Sequence, residues 1–528
     1  MLNTKKTIFA LLACACLSLT SFTACGGASN PSSANENSSQ SSSTESASDE
    51  VPSDGSSEEH TSSPDDSVTD DKEPSWEEEA LPDSTGLRYT LSEDEASYAV
   101  SGFGTCKDTT IVIPTTHNGL PVTAIADGAF WDKFEIVGVR IPDTITYIGY
   151  EAFWNCTSLE KVVIPDSVTT VAERAFHCCI RLQAVKLGKS VQTVGALAFN
   201  NCPALAFIQV DEENPYFESV NGNLYDQAQT TLLQYAIGKR ATSFDLSDSV
   251  TTIADYALHK AINLQAVTFG NKLTVIGAHA FDECTSLTKQ LDLPNTLTTI
   301  KDFAFANCKA LSGALILPST LREIGASAFS ECTNLTDTLI IPVSVQQIGS
   351  AAFYKCRKLT GLDIQANLKT VNEFTFYMCY NMKGELIIPD SVEKIAPSAF
   401  GWCYEFTSLK LGSSVSSIGE SAFYYCTKLQ GELIIPDSVT RIETSAFAFC
   451  EALNAIQIGT GVTQISLSAF ADCDAVKAIR FKDANGWSCA KQNDFVGAIS
   501  LSSTDLQDEA KAALFLTQNY AAYYWQNK

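Results

Sequence analysis

Residues 417–442 read SIGESAFYYCTKLQGELIIPDSVTRI, and most of the chain from residue 87 to residue 481 repeats that sentence. Its skeleton is Ile-Gly-x-x-Ala-Phe-x-x-Cys-x-x-Leu, then an apolar run ending in Ile-Pro, then x-Ser-Val-x-x-Ile. With the aromatic of Ala-Phe as phase marker, copies fall at Phe130, Phe153, Phe176, Phe199, Leu258, Phe281, Phe305, Phe329, Phe353, Phe376, Phe400, Phe423, Phe447 and Phe470. The spacing is 23 or 24 residues, apart from one gap of 59 that equals 23 plus an insert of 36. A fixed period of this length marks a solenoid, in which each rung touches only its neighbours and one core absorbs most of a long chain.

Within the quoted copy, alternation points Leu433 and Ile435 inward and Ile434 outward, as a strand requires. Pro436-Asp437-Ser438 is turn chemistry, and Val439 and Ile442 return to the core through a second, shorter extended piece. Gly419 permits a tight bend. The stretch 421–426 is expected to make about one and a half helical turns, with Phe423 and Cys426 on one inner face. The predicted fold is therefore an α/β repeat, a solenoid with a long parallel sheet and short helices on the other side. Fourteen rungs at about 4.8 Å each would span on the order of 70 Å.

The pattern resembles the BspA-like class of bacterial leucine-rich repeat proteins over about 390 residues, a stretch that one class-specific motif pervades. Tyr98-Ala-Val, Thr110-Ile-Val-Ile-Pro114 and Asn118-Gly119-Leu-Pro-Val resemble that family's opening rung. The resemblance implies a secreted or surface-displayed protein that binds other proteins, in some members as an adhesin, with no catalytic hallmark.

At the N-terminus Lys5 and Lys6 precede an apolar run from Ile8 to Leu19, too short to span a membrane and suited to an export signal. Thr23-Ala24-Cys25 resembles a lipoprotein cleavage site, with Phe22 where Leu is usual, and this implies lipid attachment at Cys25. Residues 28–86 carry 16 Asp or Glu against Lys72 alone, so 15 units of the net charge of −26 sit in one Ser-, Glu- and Asp-rich segment. Such a composition cannot bury enough apolar surface to order itself and reads as an extended stalk. The expected organisation is a signal at 1–24, a lipid-anchored stalk at 25–86, a solenoid at 87–482 with a hairpin insert near 211–240, and a cap at 483–528. The hairpin is signalled by Asn221-Gly222 between apolar arms. The cap is expected to be a helix opened by Thr504-x-x-Gln507 and striped by Leu506, Ala510, Ala513, Tyr520 and Tyr524.

No basic stripe is present, which disfavours nucleic acid as a partner. Twelve cysteines fall three residues after a marker, from Cys156 to Cys473. They lack the paired spacing of metal ligands and stack in parallel positions unsuited to disulfides, so they read as a buried thiol column. His259 and His279 occupy equivalent places in neighbouring rungs and could approach each other, but they read as surface residues. The sequence thus offers no metal, cofactor or catalytic constellation. The candidate binding face is the outward mid-strand ladder of Ile316, Ile340, Asp363, Ile387, Lys410 and Ile434, where an apolar strip would suit a partner. A second candidate is the aromatic set Trp154, Tyr354, Tyr377, Trp402, Tyr424 and Tyr425 on the opposite side. The functional expectation is a surface lipoprotein, facing outward from a bacterial membrane, that binds a protein or glycan ligand. The alternatives are a self-associating envelope component and, for want of an acid/base pair, a less supported carbohydrate-handling enzyme.

Overall fold

The computed structural model describes residues 74–77 and 80–527. Cys25 and nearly all of the expected stalk lie outside the described residues. Each rung has the expected four parts. In the second and third rungs, main strands Lys161–Ile164 and Ala184–Leu187 pair in parallel, with Val163 beside Lys186. Short strands Thr170–Val171 and Thr193–Val194 pair likewise one side over. The marker phenylalanines stack face to face down the core, Phe281 on Phe305 at 4.9 Å and Phe447 on Phe470 at 5.3 Å. They are completely or almost completely buried, and each such ring contributes roughly 1.5–3 kcal/mol of transfer free energy.

Two expectations about the secondary structure are corrected. The segment after the glycine is a series of tight turns, and the described rungs contain no helix there. Left-handed residues Ser421 (φ 54) and Tyr425 (φ 59) break the helical path. As a result alternate N–H groups leave the segment. Those of Ser421, Phe423 and Tyr425 donate to Thr444 O, Ala446 O and Ala448 O of the next rung, while those of Ala422, Tyr424 and Cys426 close local turns. In a helix the Tyr425 and Cys426 donors would instead have turned back to Ser421 O and Ala422 O. The second correction concerns the sheets. The short two-residue strands build the longer parallel ladders, including stretches of an eight-stranded sheet running from residue 217 to 348 and another from 370 to 527. The main strands form a five-stranded ladder over residues 110–210 and then only groups of two or three. Four of the five 24-residue rungs spend their extra residue at a left-handed bulge ahead of the main strand's inward residues: Gly313, Asp337, Gly384 and Gly431. At Gly384 and Gly431 the register shifts, and the ladder is broken on the preceding side. A bulge of this kind interrupts pairing and adds twist.

Gly419 does not act through a left-handed bend. A Cβ there would lie 2.7 Å from the backbone of Ala396 and Pro397, and the equivalent Gly325 would meet Asp302 N at 2.4 Å. The glycine column lets adjacent rungs approach, and the Gly419 N–H donates to Ile395 O at 2.8 Å.

The insert forms the hairpin read from Asn221-Gly222. Strands Phe217–Val220 and Asn223–Asp226 pair antiparallel, with both loop residues left-handed. A further strand, Thr231–Gln234, then joins the short-strand sheet in parallel. Here Tyr235 takes the marker's place, its N–H donating to Ala257 O. This rung is short. Eight residues (235–242) connect its two strands, against twelve (149–160) in the rung that ends in strand Lys161–Ile164. The buried core divides at the same point, into one cluster reaching Leu224 and another beginning at Tyr225.

The ends are closed by antiparallel strands. Arg88–Leu91 pairs with Tyr98–Gly102 at one end, and Tyr524–Asn527 pairs with Gln464–Ile465 and Trp487–Ala490 at the other. The expected single capping helix is instead two short ones, Ser503–Gln507 and Glu509–Leu514, followed by a π-helical turn. Thr504 is not the cap: Ser502 precedes the first helix without a side-chain bond, whereas Asp508 caps the second by accepting from Lys511 N. Leu506 and Ala513 are buried as expected, Ala510 is exposed, and Tyr524 belongs to the closing strand. Among the described residues no helix is long and apolar enough to cross a membrane.

Candidate binding surface

Strand alternation sets the outer ladder. Ile316, Ile340, Ile387 and Ile434 are 63%, 47%, 49% and 52% exposed, and their chain neighbours Ile341, Ile388 and Ile435 are buried. The strand phase read from sequence is therefore the observed one. Register pairs each isoleucine of the regular strands with a polar neighbour: Ile340 with Asp363, Ile387 with Lys410, and Ile434 with Gln457. Ile316 lies just outside a strand, after Gly313–Ala314. Asp363 and Lys410 are both exposed, and Asp363 accepts from Gln365 Nε2 at 2.8 Å. The face thus alternates branched apolar and charged side chains. Two members were missed. Asp245 of the short rung stands beside Thr268 in the same ladder. Val343, 65% exposed, occupies the place of Asp437 in the Pro-Asp-Ser turn; its departure from that turn chemistry was the available signal.

The aromatic set on the turn side packs upon itself. Trp154 meets Trp131 edge-on, Tyr354 stacks on Tyr377, and Trp402 stacks on Tyr425 at 4.6 Å. Phe449, absent from the sequence reading, covers the other face of Tyr425 at 4.4 Å. Trp402, Tyr425 and Phe449 are all left-handed, with φ 64, 59 and 62. Bulky side chains pay roughly 1–2 kcal/mol each in that conformation, and stacking returns about 0.5–1.5 kcal/mol per pair.

The thiol column is fully buried and carries no disulfide among the described residues. It does more than fill space. Each of its twelve thiols donates to the carbonyl of the marker in the preceding rung, such as Cys332 to Phe305 O at 3.0 Å and Cys356 to Phe329 O at 3.1 Å. Burial pushes the Cys156, Cys284, Cys426 and Cys473 thiols up to about 12, so they stay protonated donors.

The histidines depart from the surface reading. His279 Nδ1 lies 2.8 Å from Asp282 Oδ2, and the ring is sandwiched between Tyr256 and Phe303 at 4.6 Å on each side. His259 Nδ1 is 3.8 Å from the same carboxylate oxygen. His177 and His259 stand one residue after their markers and are close enough to influence one another's charge. The insert concealed this proximity from sequence. Burial lowers both to about 4, and each has an Nδ1 without a hydrogen-bond partner. Among the described residues no group of three or more His, Cys, Asp or Glu could hold a metal ion.

A repeated strand-and-turn rung, buried marker and thiol columns, and an exposed strand ladder define a leucine-rich repeat solenoid. The family model for the BspA type leucine rich repeat region matches residues 100–227, 237–337, 313–430 and 383–486, and the chain belongs to that family. No curated protein sequence matches it. Among solved structures, a leucine-rich repeat protein from Bacteroides ovatus is 25% identical over 76% of this chain and 94% of its own, with a TM-score of 0.48. A leucine rich cell surface protein from Faecalibacterium prausnitzii is 23% identical over 77% and 96%, with a TM-score of 0.36. The pneumococcal vaccine antigen PcpA is 19% identical over 67% and 94%, with a TM-score of 0.39.

Proposed function

We propose that this protein is an exported, lipid-anchored binding protein without catalytic activity, which engages a protein or glycan through the outer ladder from Ile316 to Ile434. The observation that carries this reading is the half-exposure of four isoleucines on one face of the stack, where branched apolar side chains gain nothing from solvent. The intervening Asp363 and Lys410 would give such a contact its orientation and specificity. Export and anchoring rest on the basic-apolar N-terminus and on Thr23-Ala24-Cys25. The test is capture of ligands by the mature chain, compared with an Ile340→Asp/Ile387→Asp variant. A ligand retained by wild type and lost by the variant supports the reading, whereas equal retention refutes the face. Sedimentation of both chains over a concentration series separates ligand binding from self-association.

A further inference from the structure

The outer ladder is not equally open along its length. Its members from Ile316 to Ile434 are exposed, but Arg140, Val163 and Lys186 are only partly so. Ala184, which points outward beside Lys161 in register, is 2% exposed. The outward alanines Ala266, Ala314, Ala455 and Ala478 retain intermediate exposure. Phe207 flanks Ala184 on one side. On the other, Lys161 donates from Nζ to the backbone oxygen of Ser75 at 3.1 Å, across 86 residues of sequence. Next to Ser75, Trp76 is half-buried, and its indole N–H is shut off from solvent.

The far end of this segment is fixed as well. Ser84 N donates to Val112 O at 2.9 Å, and Ser84 Oγ accepts from Val112 N and donates to Asp108. Thr110–Val112 is the edge strand of the five-stranded ladder and Lys161 lies two strands further in. The backbone therefore lies on the outer face at Ser75 and reaches the edge strand at Ser84. Chemistry matches geometry. Arg140, Lys161 and Lys186 make this the basic part of the outer face in a protein of net charge −26, and the segment beside it carries Glu77 and Asp83.

We propose that the outer face of strands Gly138–Arg140, Lys161–Ile164 and Ala184–Leu187 is a peptide-docking surface, and that its resident occupant is the chain's own Ser75, Trp76 and Glu77. The recognised chemistry is an extended acidic peptide bearing an indole: backbone oxygen to Lys161, acidic flanks to the neighbouring cations, and the ring over small outward side chains such as Ala184. An open depression of about 310 Å³ lies beyond the segment, bordered by Arg140 and Lys186 and by the carboxylates of Asp143, Asp166 and Asp211, so the basic character is confined to the strands themselves. The proposal concerns rungs well before Ile316, so it stands or falls separately from the isoleucine face.

The test uses the full chain with its tryptophans replaced by 5-fluorotryptophan, the Trp76 resonance being assigned with Trp76→Phe. In wild type that resonance should lie away from the free-peptide position and show a reduced solvent-isotope shift. Lys161→Glu/Lys186→Glu should move it to the free-peptide position while circular dichroism stays unchanged. A synthetic peptide of residues 70–83 should then bind Trp76→Ala at least about tenfold more tightly than wild type, whose tethered segment competes. It should lose that gain when Lys161→Glu/Lys186→Glu is added. A free-peptide-like Trp76 resonance in wild type, or equal peptide affinity for all three chains, overturns the proposal.

Discussion

Acid should loosen this protein around His177 and His259, on the turn side of the rungs that flank the insert, before its carboxylates titrate. His177 and His259 are held neutral by burial, with folded values of about 4 against an ordinary 6.5. His259 faces Asp282, Lys260, His279 and His177; His177 faces Arg174, Lys260 and Glu151. Asp282 gives His259 limited relief, because its nearer contact is to His279. Between pH 4 and 6.5 the unfolded chain binds more protons than the folded one, so stability rises with pH across that window. Put the other way, the contribution is intact above 6.5 and is lost as the pH falls toward 4. Lowering each group from 6.5 to about 4 corresponds to about 3 kcal/mol per imidazole at pH 4, and to roughly 2 kcal/mol at pH 5. Replacing both residues by Gln removes the titration. The assay is urea unfolding at pH 7 and pH 5, with hydrogen exchange over residues 254–284 as a local readout, since a repeat stack need not unfold in one step. Wild type should lose about 4 kcal/mol more than the double variant between the two pH values. Equal losses in the two chains would refute the claim that these imidazoles are buried neutral.

Other outcomes follow from the same geometry. Gly325→Ala should destabilise by about 1–3 kcal/mol, because its Cβ would meet Asp302 N at 2.4 Å; an unchanged unfolding midpoint would remove the close-approach role of that column. Ile340→Asp should cost about 1 kcal/mol or less, while Ile341→Asp one residue on should disrupt the stack, and thermal unfolding of the pair reads the strand phase directly. The described cysteines should react with a thiol reagent only after denaturation; rapid native labelling of the column would place it outside the core. Cys25→Ser should abolish membrane fractionation, and wild-type-like fractionation of that variant would remove the anchor.

What the sequence disclosed and what it withheld divide along physical lines. Period, marker and strand phase were legible because they are patterns of burial, and Leu433, Ile434 and Ile435 lie as alternation required. The hairpin was legible because Asn221-Gly222 has few conformations open to it. The turn segment was misread as helix because Ser421-Ala-Phe-Tyr-Tyr-Cys426 carries no glycine to announce its left-handed residues; the N–H partners that make those conformations worthwhile belong to another rung. The bulges were present in the numbers, as the difference between 23 and 24 residues. Their meaning needed the strand register at Gly384 and Gly431. Of the candidate site, the outward positions were readable one by one. The covered N-terminal end of the same face was not, because Ser75 and Lys161 are joined by nothing that repeats.

The alternating donors of the turn segment have a consequence for how the chain is made. Phe423 N reaches forward to Ala446 O, and the same step recurs at Phe400, Phe376 and most other markers. A nascent rung leaving the ribosome thus holds three outward-turned donors that stay on water until about one further period has been synthesised. Each rung is completed by its successor, and order must trail synthesis by one rung. At the last rung no successor exists. There Ser468 N is met by Ala521 O and Asn527 N returns to Thr463 O, so the C-terminal residues take up one of the donors that a further rung would have taken. A chain truncated before residue 520 would lose both partners and leave the Ser468 N–H of its last rung on water.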